Sequence, residues 1–382
     1  MRYTSLGTKM FILVIGLACL GAGCATSLNA PVVPVANESV KLGFIGPLTG
    51  DVSTVGVGDR AAIALAIDEV NASGGINGRP LEMIYEDGKC TATDAANAAN
   101  KLINIDHVIG IIGGLCSTET AAFAPTAMEN KTMVISYGSS APSLSNTGLY
   151  FDRTYPSDAY QGKFAADYVY NSLRARKVAI LYHVSDAGTG LRDTFSKRFQ
   201  ELGGQIIDVE GLPQEARDYR TALTKIKAAN PDAVFFPMYV DGAIVAVKQF
   251  TELGLNIPIY GIDAFGDPKF QKETASTSVP LFYSEVVTYQ NEDFKQKLLA
   301  KTGSVQVAPA AAQAYDSVMI LANALKKAGT DPDTLARTVR ATEIEGVSGK
   351  IAFDQNGDLV QADYRVMQID HGQAFTVTDS IK

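Results

Sequence analysis

The feature that most constrains this chain is a regular alternation of short apolar runs with amphipathic helical stretches. Apolar runs over 40–46, 81–86, 108–112 and 133–136 alternate with helix-period segments over 59–73, 94–105 and a stretch after Ser117. Gly74-Gly75 closes the first helix, and Pro125 should kink or split the third. Four βα units of this kind imply a parallel sheet covered on both faces. The pattern restarts after Tyr155-Pro156, with helices over 159–173, 190–202, 218–229 and 242–253 between strands over 177–182, 205–210, 233–238 and 257–261. This second set is long enough for its own sheet and core, so the expected class is α/β with two parallel-sheet lobes rather than one large sheet. The last part changes character. Helices near 292–302, 310–328 and 332–341 precede a hairpin of strands 350–353 and 359–369, turning at Asp354-Gln355-Asn356-Gly357.

The N-terminus is a different kind of segment. Arg2 and Lys9 precede an apolar run over 10–20 and then Gly21-Ala22-Gly23-Cys24, the layout of an export signal over 1–23. The apolar run is too short to span a bilayer as a helix. Cys24 resembles the cysteine of a bacterial lipobox, which is lipidated and becomes the mature N-terminus; ordinary cleavage near Ala25 is the alternative. Residues 24–39, rich in Ala, Val, Pro, Asn and Ser, form a tether. The formal net charge is −8, and loss of Arg2 and Lys9 makes the exported part more acidic still. No basic stripe with interleaved aromatics occurs, which excludes nucleic acid as a partner.

Of four cysteines, Cys19 and Cys24 belong to the leader, leaving Cys90 and Cys116. Both follow strands at their carboxyl ends. In an oxidising compartment a disulfide between them would brace the loop that carries Ser117; two buried thiols are the other possibility. His107, His183 and His371 are scattered and no CxxC pair occurs, so neither a metal site nor a cofactor is expected.

Chemistry in such a chain belongs at strand carboxyl ends. After the run over 108–112 comes Gly113-Gly114-Leu115-Cys116-Ser117, a strand end facing a helix N-terminus, where anions are favoured. Ser117 stands at the N-cap position with a backbone N–H and a hydroxyl, either to hold a carboxylate or only to cap its helix. Three further motifs are weaker. Gly56-Val57-Gly58-Asp59-Arg60-Ala61 resembles a dinucleotide fingerprint, but about ten residues separate it from the strand that should lead into it. Asp354-x-Asn356-x-Asp358 hints at a calcium loop, yet Leu359 occupies the position that needs glycine. Gly114-Leu115-Cys116-Ser117 as a nucleophile elbow lacks a base other than His183, so an enzyme is not expected. The clusters Ser136-Tyr137-Gly138-Ser139-Ser140-Ala141-Pro142, Tyr182-His183-Val184-Ser185-Asp186, Met238-Tyr239 and Ile262-Asp263-Ala264-Phe265 bring hydroxyls, an aromatic ring and a carboxylate to one edge of two lobes. A small zwitterion would fit between them, its carboxylate at Ser117 and its ammonium at carbonyl, hydroxyl and Asp263 groups.

Several segments in order carry a family resemblance: Gly43-Phe44-Ile45-Gly46-Pro47-Leu48-Thr49-Gly50, Asn71-Ala72-Ser73-Gly74-Gly75-Ile76-Asn77-Gly78-Arg79-Pro80-Leu81, Tyr85-Glu86-Asp87, Gly113-Gly114-Leu115-Cys116-Ser117-Thr118 and Ser139-Ser140-Ala141-Pro142. From about residue 40 onward the chain resembles type I periplasmic binding proteins, similar to the Leu/Ile/Val-binding proteins of branched-chain amino-acid ABC transporters. The resemblance implies two Rossmann-like lobes joined by three hinge crossovers, near Tyr155-Pro156, Val286-Val287 and Gly346-Val347. Lobe one would be 40–155 plus 288–346, and lobe two 156–287 plus 347–382. It also implies that Cys90 and Cys116 form a family disulfide. By position Ser117 would hold a ligand carboxylate, and the Gly138 carbonyl an ammonium. Ser140, next to Ser139, stands for a threonine whose hydroxyl and N–H serve both groups. Tyr239 would cover the ligand, and Asp263 replaces a glutamate that pairs with the ammonium. Val55 and Ala187 replace two aromatics, which enlarges the pocket. The implied function is an exported, monomeric substrate-binding protein of an ABC importer, periplasmic or at the cell surface and lipid-anchored through Cys24, delivering an amino acid-like ligand to permease subunits. The alternatives are a binder of a non-amino-acid carboxylate, an amide or urea, or a ligand-sensing receptor module.

Overall fold

The computed structural model describes residues 38–287, 292–303 and 307–381. The expected export signal, Cys24 and nearly all of the expected tether lie outside the described residues. Strands β1 (Val40–Gly46), β2 (Leu81–Asp87), β3 (Gly110–Gly113), β4 (Met133–Ser136) and β5 (Phe151–Arg153) form a parallel sheet in the order β2-β1-β3-β4-β5. Helices α1 (Ser53–Ala72), α2 (Ala92–Asn104) and α3 (Ser117–Glu129) connect its strands. The next stretch alternates α4 (Asp158–Asn171), β6 (Lys177–His183), α5 (Asp186–Glu201), β7 (Gln205–Leu212), α6 (Arg220–Ala229), β8 (Ala233–Phe236), α7 (Val240–Glu252), β9 (Ile259–Gly261), α8 (Pro268–Glu273) and β10 (Leu281–Val286). Then come α9 (Glu292–Thr302), α10 (Ala311–Ala328), α11 (Pro332–Arg340), β11 (Glu343–Gly346), β12 (Gly349–Ala352), β13 (Tyr364–Asp370) and β14 (Gln373–Ile381). The second sheet has the order β14-β13-β10-β9-β8-β6-β7. Its β6 to β10 are parallel, and β13 and β14 close one edge antiparallel.

Both sheets are covered on both faces, which is why their strands are apolar without alternation. On the first, Val40, Leu42 and Phe44 pack with α1, α10 and α11 through Ile63, Val318 and Leu335, while Ile45, Ile111 and Val134 pack on the opposite face with Leu102 of α2 and Phe123 of α3. On the second, Leu181 and Phe236 face Leu223 and Phe250, and Ile180 and Phe235 face Phe195 and Phe199. Each such fully buried side chain contributes roughly 1.5–3 kcal/mol.

Several boundaries differ from the sequence reading for identifiable reasons. Helix α1 begins at Ser53 and takes in the glycines of the fingerprint-like motif. A Cβ on Gly56 would lie 2.1 Å from the Pro47 carbonyl oxygen, and one on Gly58 would lie 2.6 Å from the Ala308 Cβ. These glycines permit close packing of a helix and shape no phosphate turn. Helix α3 is not split: it runs through Pro125. Helix α5 starts at Asp186, capped by Ser185 Oγ accepting from Gly188 N at 3.1 Å, so Ala187 is helical. The short β5 and the strand β10 were absent from the sequence reading.

The expected hairpin is corrected. β12 pairs with β11, Glu343 opposite Ala352 and Gly346 opposite Gly349. The turn at Asp354 exists, with a bridge between Phe353 and Leu359, but the chain then leaves for the other sheet, where β13 runs against β10. The cause is burial: Ile351 and Leu359 belong to the core of the first sheet, Val366, Met367 and Ile369 to the cores of the second. The Asp354 turn is pinned by Arg153, fully buried, whose Nε donates to Asp358 Oδ1 at 2.7 Å. The chain passes from the first sheet to the second between β5 and α4, and back between β10 and α9. The third passage lies over 360–363 instead of at Gly346-Val347, which moves residues 347–359 from lobe two, where the sequence reading had put them, to the first sheet's side.

Candidate functional site

Each sheet repeats one core order, β2-β1-β3-β4-β5 and β7-β6-β8-β9-β10, so each has a switch point, between β1 and β3 and between β6 and β8. Ligands of open α/β sheets bind beyond the strand carboxyl ends at such points. A cleft of about 710 Å³, its open mouth included, lies there and takes residues from the ends of β1, β3 and β4 and of β6, β8 and β9. Ser117, Gly138, Ser140, Tyr239, Asp263, Ala187 and Val55 all line it; Ser139 does not.

The first-sheet wall is held by a dense network. The N-cap of α3 is Cys116, and Ser117 is the first helical residue instead of the cap. Its Oγ accepts from Ser140 N at 3.1 Å and Ala141 N at 3.0 Å. That leaves the hydroxyl proton to donate, beside first-turn N–H groups that have no intrahelical partner. Cys116 is bonded to Cys90, with Cα atoms 5.3 Å apart, and buried Glu119 accepts from Cys90 N at 3.0 Å and Cys116 N at 3.1 Å. Burial pushes the Glu119 carboxyl up to about 7 against the pull of these N–H groups. Cys90, Cys116 and Glu119 also form a grouping of metal-capable side chains among the described residues, but their ligand atoms are committed to the disulfide and to these N–H groups. Asp87 shapes the β1 loop by accepting from Leu48 N at 2.9 Å and Thr49 Oγ1 at 2.5 Å.

Two expected contacts are corrected. Ser139 is fully buried behind the wall, its Oγ 2.8 Å from Thr120 Oγ1 and 3.2 Å from the Gly114 carbonyl, so it fastens the β3 loop. Ser140 spends its N–H on Ser117 and donates its hydroxyl to Asp158 Oδ2 at 2.8 Å, which leaves neither donor for a ligand carboxylate.

The opposite wall is held by hydrogen bonds, without a disulfide among the described residues. Tyr239 N donates to His183 Nδ1 at 3.1 Å, and His183 Nε2 pairs with Tyr219 Oη at 3.1 Å. Burial lowers the His183 pKa to about 4, so with both ring nitrogens engaged it is a neutral strut and no base. Asp263, at the end of β9, accepts from the Tyr155 hydroxyl, and burial raises its carboxyl above the usual range. Val55 and Ala187, with Leu191, Val240 and Ile262, make the remaining surface apolar. At the rim Arg217 and Asp51 form an ion pair across the cleft, with half-exposed side chains, a contact worth at most about 1 kcal/mol.

The sequence reading missed Asp158, Gln161 and Tyr155. Asp158 and Gln161 sit in the first turn of α4, buried and lining the cleft. The only local signal was Ser157-Asp158, where the Ser157 side chain accepts from Ala159 N at 3.3 Å; a cap followed by an acid is ordinary at helix starts and marks no site. Burial, reinforced by the charge of Asp263, pushes the Asp158 carboxyl up to about 8.

A family model described as periplasmic binding protein matches residues 39–374. The leucine-, isoleucine-, valine-, threonine-, and alanine-binding protein of Pseudomonas aeruginosa is 26% identical over 340 residues, covering 87% of this chain and 91% of its own length. Among solved structures, the branched-chain amino acid transporter substrate-binding protein LivJ from Streptococcus pneumoniae, in complex with isoleucine, is 27% identical with a TM-score of 0.80, covering 90% of this chain and 100% of that one. A solute-binding protein of an ABC transporter from R. palustris, in complex with benzoate, shares the fold at 18% identity and a TM-score of 0.80, covering 90% and 98%.

Proposed function

This chain belongs to the periplasmic binding protein family, and on that premise we propose that it captures an amino acid-like solute in the cleft and hands it to the membrane subunits of an ABC importer. The observation that carries this reading is the opposition of two charge-selective walls. The Ser117 hydroxyl and the start of α3 offer donors to a carboxylate; Asp263, steadied by Tyr155, offers a charge to an ammonium. The Gly138 backbone and the Tyr239 ring complete the head-group site, and Val55 and Ala187 leave room for the ligand's side chain. The related proteins whose names or complexes include branched-chain amino acids support the same reading.

The protein acts outside the cytoplasm, as a monomer anchored through lipidated Cys24. The first lobe comprises the first sheet with α9 to α11 and the β11–β12 pair, the second the second sheet, and they close by hinging at the three crossovers. The benzoate complex of a relative raises a plain carboxylate as the competing ligand; Asp263 would then face no cation. Mass spectrometry of ligand released from denatured, freshly purified protein, followed by calorimetry with the twenty amino acids, tests the proposal. An amino acid in the released fraction, bound again on titration, supports it. No heat with any amino acid, together with binding of benzoate, overturns it.

A further inference from the structure

Tyr155 and Tyr239 both line the cleft, and they spend their hydroxyls differently. Tyr239 meets Ser185 through its hydroxyl, whereas the Tyr155 hydroxyl donates to Asp263 Oδ2. Tyr155 stands in the passage from β5 to α4 and packs in the core of the first sheet, while Asp263 follows β9 of the second. Its mount is rigid. Thr154 N donates to the Ser136 carbonyl at 2.9 Å, and Thr154 Oγ1 lies 2.9 Å from Ser317 Oγ. On the other side Pro156 restricts Tyr155 to extended backbone. Burial, with the charge of Asp263, holds the Tyr155 hydroxyl well above the usual tyrosine range, so it keeps its one proton and gives it to Asp263. Beyond that proton its oxygen has lone pairs only. Donation to a carboxyl oxygen polarises the hydroxyl and makes its own oxygen a better acceptor.

An α-ammonium brings three N–H donors into the cleft, and each one that loses water needs an acceptor. The proposed function gives two of them the Gly138 carbonyl and the Asp263 carboxyl. An oxygen hydrogen-bonded to Asp263 lies beside any cation that pairs with Asp263, and Tyr155 Oη is such an oxygen on a cleft-lining residue. From this geometry we infer that Tyr155 is a direct ligand contact, its hydroxyl oxygen accepting an N–H of the ammonium while its proton stays in the bond to Asp263. The inference rests on the proposed amino-acid function and adds a residue to its head-group site. It also gives that site a second reason to reject a plain carboxylate. A ligand with no donor at the carbon next to its carboxylate leaves both the Tyr155 oxygen and Asp263 desolvated without a partner. Phenylalanine at this position would keep the ring and its packing and remove the acceptor.

Calorimetry of the full exported chain, stripped of endogenous ligand by unfolding and refolding, tests this with a pair of ligands. One is the tightest-binding of the twenty L-amino acids; the other is the same molecule without its amino group, which for leucine is 4-methylpentanoate. The wild type is expected to bind the amino acid more tightly. Tyr155→Phe, checked for folding by its melting curve, should shrink that preference at least about fivefold, because only the amino acid loses a hydrogen bond. A smaller change in the ratio, including equal losses for both ligands, is what a merely structural tyrosine would give; it overturns the inference and leaves the amino-acid function standing. Equal binding of the pair by the wild type, or no binding of any amino acid, overturns the function as well. A co-crystal of the wild type with the same amino acid decides the contact even if the variant does not fold. A ligand nitrogen within about 3.5 Å of Tyr155 Oη supports it, and one farther away overturns it whatever the variant does.

Discussion

On the first-sheet wall of the cleft, Ser117 is tied to two backbone N–H groups of the neighbouring loop, its own loop is cross-linked through Cys90–Cys116, and Glu119, Thr120 and Ser139 fasten the chain on either side. The opposite wall has no covalent brace among the described residues and is held by hydrogen bonds: Asp263 accepts from the Tyr155 hydroxyl, Asp158 from the Ser140 hydroxyl, and Tyr239 donates its N–H to His183 and meets Ser185 through its hydroxyl. One wall is over-determined in geometry and neutral in its donors. The other is held without a cross-link and carries the carboxyl groups. A carboxylate is common to every α-amino acid, so a rigid site for it serves all of them. Discrimination has to come from the rest of the lining, where Asp263 and the apolar surface at Ala187, Leu191 and Ile262 lie.

The largest expected effect is on the braced wall. Replacing Cys90 and Cys116 together by serine should lower unfolding stability by about 3 kcal/mol, as usual for a loop of this size, measured by denaturant titration. A loss below about 1 kcal/mol would mean that Glu119 and Ser139 hold the loop unaided, and the contrast between the walls would weaken.

Affinity should respond the other way round. Asp263→Asn removes the charge proposed to face the ammonium and should weaken amino-acid binding about 100-fold, whereas Ser117→Ala, which leaves first-turn N–H groups in place, should cost nearer tenfold. Ser117→Ala should also lower stability, because Ser140 N and Ala141 N lose their acceptor. Equal losses of affinity in calorimetry would break the comparison.

The smallest effect is in pH dependence, and it separates the walls by range. Asp158, raised to about 8 chiefly by burial, binds its proton more tightly folded than unfolded. Its contribution to stability is complete below the ordinary carboxylate pKa of about 4 and is lost as pH rises to about 8. Glu119 behaves alike but is finished at about 7, as is Asp152 away from the cleft. His183, lowered to about 4, acts oppositely, and stability falls as pH drops from about 6.5. Between pH 7 and 8 the melting temperature of the empty protein should therefore fall, and Asp158→Asn should flatten that slope while Glu119→Gln leaves it. An unchanged slope in Asp158→Asn would show that the acid is ionised in the empty cleft.

Much of this was legible in the residues. The βα alternation located most of the strands, and the glycine and hydroxyl clusters at their ends picked out Ser117, Gly138, Ser140, Tyr239 and Asp263, all of which line one cleft. The failures share a cause. Gly56 and Gly58 resemble a fingerprint motif ahead of the expected helix because their reason for being glycine, contact with Pro47 and Ala308, is set by other segments. Ser139 and Ser140 are adjacent and chemically identical, and only the packing turns one behind the wall and the other toward Asp158.

What the sequence determined by itself was local and periodic: which stretches are apolar enough to be buried strands, where helices follow them, and which polar residues gather at the strand ends. Hydrophobic period and chain direction are properties of neighbouring residues and survive without a fold. Only the tertiary structure decided that 360–363 is the third passage, that Ser140 has no donor to spare, and that Asp158 shares a cleft with Asp263 across the gap from 158 to 263. Those outcomes depend on packing, and whether a carboxylate is an ordinary helix-start acid or a buried group lining a cleft is settled by what lies around it in space.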